Sequence, residues 1–423
     1  MNSNFKATIN LPQAIALYIG AVLGAGVLIV PGIAAEIAGP ASILDWGVMM
    51  ILVLPLALCM AFLSQKYPNV GGVSYFVTKA FGDKLGTIIG WFFLMSVPIG
   101  APVAALTGGG YLGFALGLPQ NSRIIVACII LIFALVINVM GMNIAGRIQV
   151  AVVISIISIL ILAIIGSIPN IKAVNFTPFM PNGIAGIGKA SPILFWCFIG
   201  WEAVSHLSEE FINPEKDIIK ATVISAIIIG VLYFMTSLVT VGTDSYGIET
   251  QASLVIVTRK IFGSSGAIII GITSLLICIA TVISYIGTAS RLAFSLSKNK
   301  DAPEILGYVS KKYHTPIGGL VFLFLCFVVV ITLYYFKIVS FTQLIQIPNA
   351  TFILTYLTGC AAGVALFKDN KKKFMISLIS LVTTAFIFIF SGWAILYPVI
   401  ILTGVIINKV IKNYRNNLHN RCR

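Results

Sequence analysis

Charge is scarce in this sequence: Asp, Glu, Lys and Arg together make up 9% of its 423 residues. A soluble domain of that size keeps itself dispersed with a charged surface, so a water-soluble globule is excluded. Histidine is scarcer still, and His206, His314 and His419 stand far apart. No His/Cys grouping has metal-ligand spacing, and no Ser/His or His/Asp pairing offers a nucleophile with its base. Neither a metal site, a cofactor nor an intramembrane enzyme is expected. Cysteine is missing from every stretch that would face outside: Cys59, Cys128, Cys197, Cys278, Cys326 and Cys360 lie in apolar runs, and Cys422 lies in the tail. No disulfide framework is expected from that placement. Long polar stretches are lacking too, the longest running to about 20 residues, which leaves no room for a soluble or signalling domain.

What remains is hydrocarbon. Hydrophobic residues make up 59% of the chain, and its mean hydropathy is +1.04. A bilayer solvates apolar side chains while each helix satisfies its own backbone. At about 20 mainly apolar residues per crossing, twelve segments qualify: 11–38, 42–65, 84–116, 123–141, 147–168, 190–208, 217–242, 266–296, 316–336, 339–366, 374–391 and 393–411. The expected fold is an all-α integral membrane protein, one transmembrane domain over 1–423. The first run is too long for a signal-peptide core and is read as a permanent span.

The net charge of +14 suggests nucleic acid until its placement is followed. Alternating sides across twelve spans puts 21 of the 27 Lys and Arg on the side of the termini. The other six (Arg123, Lys172, Lys189, Arg259, Lys260 and Lys337) fall opposite. Basic residues mark the cytoplasmic side, so both termini are expected inside the cell. The basic excess is a topology signal, and no nucleic-acid partner is expected.

Two spans look interrupted. The first reads Ile19-Gly20-Ala21-Val22-Leu23-Gly24-Ala25-Gly26-Val27, with Pro31-Gly32 beyond. Glycines at mid-span weaken the helix and let backbone N–H groups meet a ligand carboxylate directly. Close helix packing through Gly20 and Gly24 is the alternative. The sixth reads Phe195-Trp196-Cys197-Phe198-Ile199-Gly200-Trp201-Glu202, and Glu202 is one of very few carboxylates in an apolar run. Such a group is costly in a membrane and functional by default; a half-helix N-terminus or a proton would offset its charge. Gly200 lies about 175 residues after the first interruption, which suits an inverted repeat with its site at the repeat interface.

These motifs resemble the amino acid–polyamine–organocation (APC) permeases. The likeness rests on I-G-x-x-x-G-x-G-V in the first span with Pro31 after it, W-x-F-x-G-x-E from Trp196 to Glu202, and Tyr67-Pro68-Asn69-Val70-Gly71-Gly72-Val73-Ser74-Tyr75. The stretch from Phe195 to Asp217, with Gly90–Leu94 and Pro98–Pro102, is similar to the bacterial methionine and branched-chain amino acid exporter subfamily.

The resemblance implies a five-plus-five inverted repeat, 1–168 and 190–366, with two appended helices over 374–411 and broken helices one and six. It implies a bacterial plasma-membrane, multi-pass secondary transporter working by alternating access. Gly24, Ala25 and Gly26 would hold the substrate carboxylate, with Leu23 and Val27 beside them. Carbonyls around Trp196, Cys197 and Ile199 would accept from its ammonium, with Gly200 also counted at the substrate site. Trp196 would be an aromatic lid, Ile99 and Val103 would line the pocket from the third span, and Glu202 with Trp196 would serve coupling and gating. Several such permeases carry a Lys in the fifth span in place of a sodium ion. Here Ile148 to Ile168 has no Lys or Arg, its hydroxyls being Ser155, Ser158 and Ser167, so the resemblance leaves the coupling ion open. A proton is expected; Ser284 and Thr288 are the candidates for a sodium site.

The candidate lining is apolar, so methionine, leucine, isoleucine and valine are the expected substrates, and export follows from the resemblance alone. An importer or exchanger of other neutral amino acids is the near alternative. A membrane amino-acid sensor is the alternative of another class.

Overall fold

A chain this apolar can satisfy its backbone in a bilayer only by coiling each run into a helix. The computed structural model describes residues 7–24, 26–246, 253–389 and 394–407. Among those residues the chain is built of helices, and its one extended pairing is an isolated bridge between Ile9 and Phe211. In order they are α1 (Leu11–Val22), α2 (Gly26–Ala38), α3 (Ser42–Lys66), α4 (Val73–Phe81), α5 (Asp83–Leu116), α6 (Gln120–Met140) and α7 (Met142–Ser167). There follow α8 (Gly183–Trp196), α9 (Trp201–Ser205), α10 (Pro214–Gly242), α11 (Ser253–Lys298), α12 (Ile317–Tyr335), α13 (Phe341–Leu366) and α14 (Lys371–Phe388). The last is α15 (Leu396–Ile407).

Nine helical stretches among the described residues are long and apolar enough to cross a membrane, one of them, Gly26–Lys66, carrying both α2 and α3. The shorter apolar helices α1 and α15 complete the first and last expected runs, and α14 opens on Lys371, Lys372 and Lys373. Most limits match to within a few residues: 84–116 is Asp83–Leu116, 217–242 is Pro214–Gly242 and 339–366 is Phe341–Leu366. Two elements depart from expectation. The polar connection after the second span carries α4, which buries Val73, Ser74, Phe76 and Val77 on one face. The eighth run starts earlier than 266, at Ser253, and kinks at Gly263, where φ is 62°. The end of the 374–391 run, part of 393–411, and Cys422 lie outside the described residues.

The outward faces are what lipid requires. On α6, Ile125, Ile129, Ile132 and Val136 recur at helical spacing and stand more than half exposed. Such a stripe would be a liability in water and is an ordinary surface against acyl chains. α5 and the 271–298 part of α11 run through the interior and are largely buried, and both broken spans pack against the region they enclose.

Candidate functional site

The first span breaks between Val22, the last residue of α1, and Gly26, the first of α2, with Gly24 at φ 27°. The sixth breaks between Trp196 and Trp201, with Gly200 at φ 137°. A β-carbon is disfavoured at both φ values, which is why glycine stands there. Each break frees backbone groups that a membrane interior cannot hydrate. Two tyrosines meet them. The Tyr233 hydroxyl on α10 lies 3.1 Å from the Val22 carbonyl, 3.0 Å from that of Leu23 and 2.9 Å from that of Cys197, and donates to this group. Its ring is fixed by stacking on Trp46 at 4.9 Å and by the edge contact of Phe198 at 5.1 Å. The Tyr356 hydroxyl on α13 accepts instead, from the amides of Gly200 at 2.9 Å, Trp201 at 2.8 Å and Glu202 at 3.3 Å.

The two breaks touch. A β-carbon on Gly26 would stand 2.6 Å from Cys197 Sγ, and one on Gly200 would stand 2.8 Å from the Ala21 carbonyl oxygen. These glycines are therefore also close-approach positions. Gly24 differs: a β-carbon there has Thr281 Oγ1 as its nearest neighbour, at 3.7 Å.

A cavity opens beside this junction. The broken spans line one side with Ala21, Val22, Gly24, Gly26, Trp196, Cys197 and Ile199. Helices close the rest at three- and four-residue spacing: Gly100, Val103 and Ala104 from α5, Thr281 and Tyr285 from α11, and Leu344, Ile345, Pro348 and Phe352 from α13. The wall is apolar apart from Thr281, Tyr285 and the broken backbone. Pro348 has no N–H for the Leu344 carbonyl one turn back, so α13 presents a further loosened backbone group at the lining.

Of the residues expected at the site, Gly24, Gly26, Val103, Trp196, Cys197 and Ile199 come together on this cavity. Leu23 and Val27 are buried in the bundle behind it. Gly200 lies against Ala21, and Ile99 is the neighbour of the lining residue Gly100. Ala25 lies outside the described residues. The Cys197 carbonyl, expected to accept from a substrate ammonium, already faces Tyr233. The walls from α11 and α13 escape sequence reasoning, because an i, i+4 row on an apolar helix reads equally as a lipid face; Pro348 inside its span is the one visible signal.

Glu202 sits in the first turn of α9, fully buried. Its Oε2 accepts from the Gly200 amide at 3.0 Å, and its Oε1 has no partner. At five residues α9 is too short for the expected half-helix dipole to be large, so the carboxylate is held by local groups, the Gly200 amide and the Tyr356 hydroxyl, and not by a macrodipole.

Side chains stack in layers beside Tyr285 and Phe352 of the cavity lining. Phe93, Tyr285 and Phe352 pack edge and face on one another, and Phe93 rests on His206 at 4.8 Å. Beyond them the buried carboxylate of Glu210 pairs with the buried guanidinium of Arg291 from α11. The Glu210 carbonyl accepts from the Thr8 and Ile9 amides, each at 2.8 Å. One residue after the sixth span thus fastens the N-terminal segment and α11 together.

Ser284 and Thr288 on α11 are engaged. The Thr288 hydroxyl lies 3.0 Å from the Ala203 carbonyl and 2.9 Å from that of Ser284, and the Ser284 hydroxyl lies 3.4 Å from the Leu17 carbonyl. No group of three or more His, Cys, Asp or Glu is placed to hold a metal ion among the described residues.

Comparison with known proteins agrees with this architecture. The amino acid permease family matches over residues 9–412. An amino acid permease of Bacillus subtilis named YecA is 35% identical over 402 residues, covering 95% of both chains. The L-methionine/branched-chain amino acid exporter YjeH of Escherichia coli is 31% identical over 408 residues, covering 95% of this chain and 96% of its own. A branched-chain amino acid permease of Bacillus subtilis, BcaP, is 27% identical over 322 residues, 71% of this chain and 69% of its own.

Proposed function

The chain belongs to the amino acid permease family, and from that premise we propose that it is a secondary active transporter of methionine and the branched-chain amino acids. It exports them from a bacterial cell by alternating access, with a proton as the coupling ion. Both termini face the cytoplasm, and the two five-helix repeats over 1–168 and 190–366 rock about the broken spans.

The observation that carries this reading is the cavity itself. It combines broken backbone from both interrupted spans with an otherwise apolar wall from α5, α11 and α13. Exposed backbone suits the carboxylate and ammonium that all amino acids share. Val103, Leu344, Ile345 and Phe352 suit an aliphatic or thioether side chain and leave a charged one without a partner. Trp196, at the end of α8, is the lid over that side chain. Relatives named for methionine and branched-chain transport support the same substrate class.

The test is counterflow in proteoliposomes with each standard amino acid in turn. Methionine, leucine, isoleucine and valine are expected to exchange, and charged amino acids are not. Binding without exchange would point to a sensor, and preference for a cationic substrate would remove the apolar-pocket reading.

A further inference from the structure

His206 follows α9 directly, at the end of the sixth span, and is fully buried. Its Nδ1 lies 3.1 Å from the Val70 carbonyl oxygen, in the connection between α3 and α4. A carbonyl only accepts, so Nδ1 carries the hydrogen and donates it. Nε2 has no partner. The ring rests on Phe93 of α5 at 4.8 Å, and Phe93 in turn packs on Tyr285 and Phe352, which line the cavity. Gly72 lets the connection come this close: its φ is 51°, and a β-carbon there would stand 2.5 Å from His206 Nδ1.

Neighbouring contacts run the same way. The Asn69 amide donates to Ser208 Oγ at 3.0 Å, and the hydroxyl oxygens of Ser64 and Ser205 are 2.9 Å apart. Ser205, His206 and Ser208 thus meet Ser64, Val70 and Asn69, and on the transport reading the two sets belong to different repeats. Rocking of one repeat against the other has to part them. Of these contacts, that of His206 alone joins a hydrogen bond to a ring stack leading to the cavity lining. Packing by itself does not account for a histidine here. A buried nitrogen without a partner costs stability, and a phenyl ring would fill the same space without one.

We propose that His206 is a positioning residue for transport: its Nδ1–H latches α9 to the connection at Val70, and the cytoplasmic mouth of the cavity opens only when that bond is released. The proposal rests on the transport reading above and on its cytoplasmic placement of the termini. His206 lies at the same end as the N-terminal segment, whose Thr8 and Ile9 amides donate to the Glu210 carbonyl. One neutral donor on one carbonyl can be broken and remade in every cycle at modest cost, unlike the buried Glu210–Arg291 ion pair nearby.

Cys197 lines the cavity and is a free thiol, so its alkylation reports which mouth is open. The full-length chain is treated with an impermeant maleimide in inside-out and in right-side-out vesicles, with Cys197→Ser as the background. His206→Phe keeps a ring against Phe93 and loses the donor. Its alkylation from the cytoplasmic side is expected to rise roughly tenfold, the shift that one buried hydrogen bond supports in a two-state equilibrium, with no rise from the other side. His206→Asn, whose side-chain N–H can serve the same carbonyl, is expected to stay within about twofold of wild type. Unchanged alkylation in His206→Phe would overturn the proposal. So would a rise from the opposite side, alone or together with the first, which marks loosened packing. Equal rises in the Phe and Asn variants would overturn it too, since they mark the shape of the imidazole and not its donor. Should His206→Phe yield no folded protein, Ser208→Ala removes the acceptor of the Asn69 amide beside it. A rise from the cytoplasmic side is expected there as well, and its absence overturns the latch. If wild type exchanges no amino acid in counterflow, the transport reading fails, while the alkylation pattern still decides whether His206 holds this mouth shut.

Discussion

Tyr233 and Tyr356 hold opposite backbone groups around the two breaks: one hydroxyl joins both by facing the carbonyls of Val22, Leu23 and Cys197, and the other faces the amides of Gly200, Trp201 and Glu202 in the sixth span alone. Neither tyrosine belongs to a broken span. Interrupted helices in a membrane need such outside partners, because no water is there to replace the lost ladder bonds. One phenol thus takes up carbonyls of both breaks and the other takes up amides of the sixth, beside the backbone that lines the cavity.

The two phenols should not be equally replaceable. Tyr356→Phe strands the Trp201 and Glu202 amides, and buried N–H groups without an acceptor are rarer and costlier than under-used carbonyls. Tyr233→Phe strands carbonyls that have a second lone pair and near neighbours. Tyr356→Phe is expected to lower stability by about 2 kcal/mol and Tyr233→Phe by about 1 kcal/mol, read as thermal unfolding of each protein in detergent beside wild type. The reverse order would mean that the carbonyl set, not the amide set, holds the junction.

Glycines of the first break separate in the same way. At Gly24 a new β-carbon meets nothing nearer than Thr281 Oγ1 at 3.7 Å, so Gly24→Ala bears only the backbone strain of its φ, about 1–2 kcal/mol. Its methyl would nevertheless sit at the cavity lining. At Gly26 a side chain runs into Cys197 Sγ at 2.6 Å, so Gly26→Val should reduce folded protein and not merely binding. The expected result is a well-folded Gly24→Ala protein whose apparent substrate affinity drops roughly tenfold, about 1.4 kcal/mol, measured by counterflow at graded substrate concentrations. Normal affinity would detach Gly24 from the substrate.

Hydropathy locates the spans because lipid-facing and core-facing helices are both apolar, and in a bilayer that is enough to define a crossing. Glycine locates both breaks, since Gly24 and Gly200 adopt φ values that other residues avoid. The partners of the breaks are hidden for a physical reason. Tyr233 and Tyr356 are single aromatics in apolar helices, and nothing in their spacing separates a hydroxyl that caps a distant break from one that reaches an interface. The Glu210–Arg291 pair joins residues 81 apart that the one-dimensional pattern places in a loop and at a span end.

Glu202 is the remaining group whose geometry and chemistry point to a measurable role. It is fully buried, its Oε2 is held by the Gly200 amide, and its Oε1 is unoccupied. The buried guanidinium of Arg291 is engaged with Glu210, and no cation pairs with Glu202 among the described residues. A buried carboxylate without a cation and with one bare oxygen has a place for one proton. On the transport reading proposed above, that proton would be taken up or released as the cavity opens to alternate sides, since Gly200 and Trp201 belong to the sixth-span break. In the Glu202→Gln variant the side-chain carbonyl would still accept from Gly200, and the amide group would fill the position of Oε1 as the protonated acid does. Glu202→Gln is therefore expected to retain amino acid exchange within about threefold, since exchange needs no net proton movement. Net accumulation is different. A pH gradient of one unit is worth about 1.4 kcal/mol per proton, or a tenfold concentration ratio. Wild-type proteoliposomes are expected to build such a ratio when the gradient is imposed, and Glu202→Gln proteoliposomes to stay near unity. If the variant concentrates substrate as wild type does, the proton is carried elsewhere and Glu202 only packs the gate.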